Sequence, residues 1–163
     1  MNGTNLEGKY LTFSLAKEEY GIGILKVKEI MGLMPVTSVP RTPHHVRGVI
    51  NLRGKVIPIV DLRLRFGLEE LAATEKTCII VVEVSGEAGK VLMGIVVDSV
   101  SEVLNVKAAE IEPAPSFGSS VDTAFILGMA KVNDSVKILL EIDRVLGGQE
   151  IRQLETMGQE MAA

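Results

Sequence analysis

The chain has 163 residues, 47% of them hydrophobic, a formal net charge of −4 and one cysteine, Cys78. That length can bury a core as one domain or two small halves, and no apolar run approaches the roughly 18 residues that cross a bilayer. A lone thiol excludes an internal disulfide framework. The negative balance argues against a general nucleic-acid binder, and 4% aromatic content without tryptophan leaves few stacking platforms.

Residues 1–8 have neither a basic n-region nor an apolar h-region, so they read as a flexible leader on a cytoplasmic chain. From Lys9 to Leu15, Leu11, Phe13 and Leu15 alternate with Tyr10, Thr12 and Ser14, the pattern of a half-buried strand. Ala16-Lys17-Glu18-Glu19 turns it, and Tyr20 to Ile24 returns as the hairpin partner, with Gly21 and Gly23 allowing a bend or a close backbone approach. Val27 to Met31 fits helix or strand equally. Pro35, Pro40 and Pro43 break the chain before a short helical turn, capped by Thr42 and ending near Gly48. Val49–Leu52 and Lys55–Leu62 read as a hairpin around Arg53-Gly54, where Gly54 supplies positive φ. Pro58 cannot donate to a ladder and so marks an edge strand or a bulge.

Leu68 to Lys76 links to a second hairpin, Thr77–Val84 with Lys90–Val97. The stretch Pro113 to Ser120 is irregular and carries Phe117. Ile126–Val132 and Val136–Ile142 form a further hairpin around Asn133-Asp134. After Gly147-Gly148, the spacing of Ile151, Leu154, Met157 and Met161 predicts an amphipathic C-terminal helix over 151–163.

The chain repeats itself. At an offset of 73, Tyr20–Met31 lies over Met93–Leu104; at an offset of 80, Gly48–Leu62 lies over Gly128–Ile142. Glycines, apolar alternation and the closing acids Asp61 and Glu141 coincide. Two copies are too few for a solenoid, so short strands with Gly/Pro turns point to two small closed β lobes.

No catalytic constellation emerges. Cys78 lies among Ile79, Ile80, Val81 and Val82 and reads as a small buried hydrophobe, not the partner of His44 or His45. Adjacent histidines diverge and have no acid or thiolate at ligand spacing. Gly21-Ile22-Gly23 lies inside a strand, which makes it a poor phosphate loop. Between Arg41 and Arg65, six cations (Arg41, Arg47, Arg53, Lys55, Arg63, Arg65) face one acid, Asp61. This reads either as a solvated surface or as a docking face for an acidic partner. Arg53, at a hairpin tip, offers a planar fork that Glu29 can pair with across the lobe.

Tyr20–Ile30, the block Gly48–Arg63 with its Asn-Leu-Arg-Gly and Pro-Ile-Val-Asp-Leu-Arg segments, and Gly94–Asp98 together resemble the CheW family of bacterial chemotaxis coupling proteins. The resemblance runs from about Lys9 to Leu146. It implies a mainly β fold of two tandem SH3-like five-stranded barrel lobes with short helices. The domain would span 9–150, as intertwined lobes of roughly 15–75 and 76–146, the latter with 9–14.

The resemblance also implies a non-catalytic adaptor without cofactor or metal, recruited from the cytoplasm to membrane-associated chemoreceptor arrays. Its partners would be the cytoplasmic tip of the receptors and the regulatory domain of the chemotaxis histidine kinase. By position, the receptor groove falls on Val27, Glu29, Gly48, Arg53, Cys78 and Val103, and the kinase contact on Phe117. The alternative is an unrelated SH3-like interaction or nucleic-acid-binding barrel.

Overall fold

The computed structural model describes residues 6–86, 89–113 and 125–145. Phe117, the irregular stretch around it from residue 114 onward, and the C-terminal helix expected at 151–163 lie outside these residues. So does all but the end of the leader, and that end is tied down: Tyr10 Oη donates to Leu6 O at 2.6 Å, and Glu7 Oε1 accepts from Ala108 N at 3.0 Å.

The described chain is mostly strand. In order it forms β1 (Gly8–Leu15), β2 (Glu18–Gly23), β3 (Val27–Gly32), β4 (Val46–Leu52), β5 (Lys55–Asp61) and β6 (Cys78–Gly86). β7 (Gly89–Val97), β8 (Ser99–Val106), β9 (Ile111–Glu112), β10 (Ile126–Val132) and β11 (Ser135–Leu140) follow. Two four-residue helices, α1 (Leu62–Arg65) and α2 (Ile142–Val145), follow β5 and β11. The strands build two sheets, ordered β8-β1-β2-β11-β10-β9 and β3-β6-β7-β5-β4. The ambiguous segment resolves as a 3₁₀ turn, Ile24–Lys26, leading into β3.

The sheets do not divide the chain at residue 75. One lobe is continuous, from β3 to β7; the other is split, taking β1 and β2 together with β8 to β11. Each sequence repeat gives its first strand away. β2 pairs in parallel with β11, Leu139 opposite Gly21, while β7 pairs in parallel with β5, Ile59 opposite Gly94. These two pairings correspond residue for residue under the repeat offsets. The glycines permit them: a Cβ at Gly94 would sit 2.6 Å from Ile59 Cδ1, and one at Gly21 would sit 3.1 Å from Leu139 Cδ2.

Three hairpins turn through two residues with positive φ, at Ala16-Lys17, Arg53-Gly54 and Asn133-Asp134, the geometry whose twist matches paired strands. Each sheet is wrapped by its own edge strand. The chain leaves β3 at one edge and returns at Thr37, bridged to Val49 of β4 at the other. It likewise leaves β8 and returns as β9 beside β10. In each sheet one stretch of chain therefore reaches both edges, while the strand orders themselves stay open among the described residues.

The core follows this exchange. Ile50, Ile57, Ile59, Ile79, Val81 and Val96 fill the continuous lobe, and Tyr10, Val106, Ala130 and Leu139 fill the split one. The largest cluster belongs to both sheets: Leu11, Phe13, Leu15, Ile22 and Leu140 meet Val60, Ile80, Val82, Met93 and Ile95. Phe13, Tyr20, Phe66 and Phe125 form a row of rings, 5.1–5.9 Å between successive centroids, within the range where aromatic pairs attract beyond their buried area.

Two local expectations change. Pro58 is in an interior strand, between β4 and β7. Its pair Val49 turns both backbone groups to Thr37, at 2.8 and 2.9 Å, so β4 demands no bond of the proline, and the ladder with β7 begins one residue later, at Ile59. The bulge anticipated for Pro58 lies on the neighbouring strand, between Val46 and Gly48. There is no helix capped by Thr42. Thr42 Oγ1 donates to Val39 O, Val46 N closes one turn on Pro43 O, and Gly48 lies inside β4.

Candidate surface site

Glu29 and Arg53 meet as the spacing suggested. Arg53, at the β4–β5 turn, is held by the turn itself: Asn51 Oδ1 accepts from Gly54 N at 2.9 Å. Its guanidinium grips both carboxylate oxygens of Glu29, Nη2 on Oε1 and Nη1 on Oε2. Those hydrogen bonds hold the Glu29 carboxyl below the usual carboxylate range. The Arg53 side chain remains 71% exposed. A surface pair of this kind adds little to stability; it restrains a fork-shaped donor that still faces water.

The other candidate positions do not gather into one patch. A bulge between Val27 and Glu29 sets Val27 opposite Val82 and Glu29 opposite Val81, so the two point to opposite faces of β3. Val27 is half-buried against the shared core, as is Cys78. Cys78 is therefore not fully enclosed, and its Sγ donates to Lys76 O at 3.1 Å. Gly48 is buried at φ +140°, and a Cβ there would lie 1.9 Å from Thr37 O. Val103 is 50% exposed, on β8 of the other sheet.

Residue reading missed Ile30, 44% exposed on β3. The signal was present, since Ile30 and Val103 coincide at the offset of 73. The same offset matches Glu29 to Glu102, whose backbone is pinned by Thr12 Oγ1 at 2.9 and 3.2 Å. Asn133 stands where Arg53 stands, so the guanidinium–carboxylate pair belongs to one lobe alone.

The row of cations is largely neutralised. Arg47 donates to Asp61 Oδ2 through Nε and Nη2 at 2.9 and 2.7 Å, and Arg63 to Asp98 at 2.7 and 2.6 Å. Asp61, 3% exposed, also caps α1 by accepting from Arg63 N and Leu64 N. These pairs line a cavity of about 270 Å³ with Thr77, Val96 and the segment from Glu70 to Ala73. The Asp61 and Asp98 carboxylates are engaged in structural bonds. Among the described residues, no three His, Cys, Asp or Glu side chains gather as a metal site, and no helix is long and apolar enough to cross a membrane.

Two apolar-cored β lobes that share their largest core cluster define the class, a double-lobed mainly β protein. Residues 9–150 match the CheW-like domain, and the chain belongs to that family of chemotaxis proteins. It is 38% identical to the chemotaxis protein CheW of Klebsiella aerogenes over 95% of this chain and 91% of that one. With the CheW of Rhizobium meliloti the identity is 35%, covering 90% and 92%. The crystal structure of the scaffolding protein TtCheW from Thermoanaerobacter tengcongensis superposes with a TM-score of 0.78 at 38% identity, covering 88% of this chain and 97% of that one. This membership displaces the alternative of an unrelated barrel.

Proposed function

We propose that this chain is a non-catalytic adaptor that couples transmembrane chemoreceptors to the chemotaxis histidine kinase. It works in the cytoplasm, at membrane-associated receptor arrays. The observation that carries the reading is the Arg53 fork, held by Glu29 yet open to water, in a chain that aligns with chemotaxis scaffolds along nearly its whole length.

In this reading the receptor tip is gripped by Arg53 and Glu29, with apolar contact from Val103. Val27 and Cys78 support the face from behind, and Gly48 keeps β4 against Thr37. The kinase regulatory domain binds elsewhere, with Phe117 as the contact implied by family resemblance. An adaptor breaks no bond. It passes a bias by binding two kinase states unequally, which asks for about 1–3 kcal/mol of coupling.

The test is receptor-dependent kinase activation in a reconstituted system with Arg53→Ala. The variant should melt as the parent does while activation is lost. Full activation with that variant would remove Arg53 from the coupling surface.

A further inference from the structure

The chain crosses between the two sheets twice, through Ile24–Lys26 and at Asp98 between β7 and β8. Each crossover is held in the same three-way manner. At the second, Asp98 accepts from Arg63 of α1 through Nε and Nη2, at 2.7 and 2.6 Å, and from Ala16 N at 2.9 Å. Arg63 belongs to the continuous lobe and Ala16 to the hairpin tip of the split lobe. At the first, Asp143 of α2 accepts from Lys26 Nζ at 2.8 Å and from Ser85 N at 3.2 Å. Asp143 belongs to the split lobe and Ser85 to the far end of β6 in the continuous one.

We propose that Asp98 and Asp143 are positioning residues, each holding one crossover in a clasp that ties a helix of one lobe to a hairpin of the other, and that the two clasps together set the angle between the lobes.

Arg63 and Asp143 correspond under the 80-residue offset, and Lys26 lies one residue from correspondence with Asp98 under the 73-residue offset. Yet the polarity is reversed. α1 brings the cation to an acidic crossover; α2 brings the acid to a basic one. Exchanged docking would set Arg63 against Lys26 and Asp143 against Asp98, like against like, so reversal selects one arrangement of two similar halves. The apolar core between the lobes supplies attraction, but it is non-directional. The clasps are directional, and their four side chains are only 15–31% exposed, so solvent screens them less than the Arg53 pair.

The consequence rests on the adaptor reading. Arg53 and Glu29 lie in the continuous lobe and Val103 in the split one, so a partner spanning both meets a surface whose spacing the clasps fix.

The test is the interlobe distance distribution of the full chain by pulsed dipolar spectroscopy. Spin labels at Lys55→Cys and Val136→Cys, in a Cys78→Ala background, place one label in each lobe. Asp98→Asn and Asp143→Asn keep an acceptor for the backbone N–H but lose the charge. Each should replace a single narrow distance with a broadened one, whereas Asp143→Glu should retain the narrow peak. Lys26→Met, which spares both acids, should broaden it as Asp143→Asn does, and decides the matter if Asp98→Asn does not fold. Unchanged narrow distributions in Asp143→Asn and Lys26→Met overturn the proposal. Binding of the unlabelled parent to a receptor signalling fragment, measured separately, reports on the adaptor reading without touching the distances.

Discussion

At Gly48 one added methyl group meets backbone on two counts: positive φ disfavours any side chain, and Thr37 O occupies the Cβ position. Gly48→Ala should therefore cost about 2–4 kcal/mol of stability, read from urea unfolding, and any loss of receptor binding should accompany that loss. A variant as stable as the parent yet deficient in binding would instead make Gly48 a contact residue. Arg53→Ala should behave oppositely, with coupling lost and the melt unchanged. Sequence suggested the Arg53–Glu29 pair through opposite charges and an exposed turn tip, although β3 lies at the sheet edge opposite β4. It hid the carbonyl of Thr37, since nothing near Gly48 in the chain announces a neighbour brought in from the opposite edge of the sheet. The apolar run after Cys78 points to a small buried hydrophobe, but the first residue of a strand is open on one side.

Among elements, the hairpins were legible because turn chemistry is written in two residues. The end of β5 was not. Apolar residues continue through Leu62, and only Asp61, bonding forward to Arg63 N and Leu64 N, ends the strand and starts α1. Glu141 repeats part of this before α2, accepting from Asp143 N at 3.4 Å. Asp61→Ala removes a cap and the buried partner of Arg47 together. It should destabilise the protein by about 2–4 kcal/mol, measured by chemical denaturation, with faster amide exchange first at Arg63 and Leu64. A loss under about 0.5 kcal/mol, the ordinary scale of a surface change, would show that neither bond matters. Pro58 misled for a related reason: the usual rule supposes that every interior residue must donate, and here Val49 turns its bonds to Thr37 while the β7 ladder starts at Ile59.

For the molecule as a whole, the internal repeat was visible but the exchange was not. Similarity marks which segments correspond; it does not say that β2 and β7 each join the sheet built mainly by the other copy. That is decided by the parallel pairing at Gly21 and Gly94, between segments far apart in sequence. The ion pairs between and within lobes make a pH prediction. At Asp98, burial pushes the pKa up but the Arg63 and Ala16 bonds outweigh it and leave it lowered; at Glu19, the hydrogen bond from Lys137 lowers it. Groups with depressed folded pKa values contribute stability that is present above the unfolded value of about 4. That stability is lost as pH falls through the folded values. The thermal midpoint should hold from neutrality to mild acid and drop below about pH 4, less steeply in Asp98→Asn; an identical profile in that variant would contradict the assignment. The proposed role is a bridge between a receptor and a kinase. It is tested most directly by capture on an immobilised receptor signalling fragment, with the kinase regulatory domain in solution. The kinase domain should be retained only when this chain is present, and equal retention without it would contradict the account.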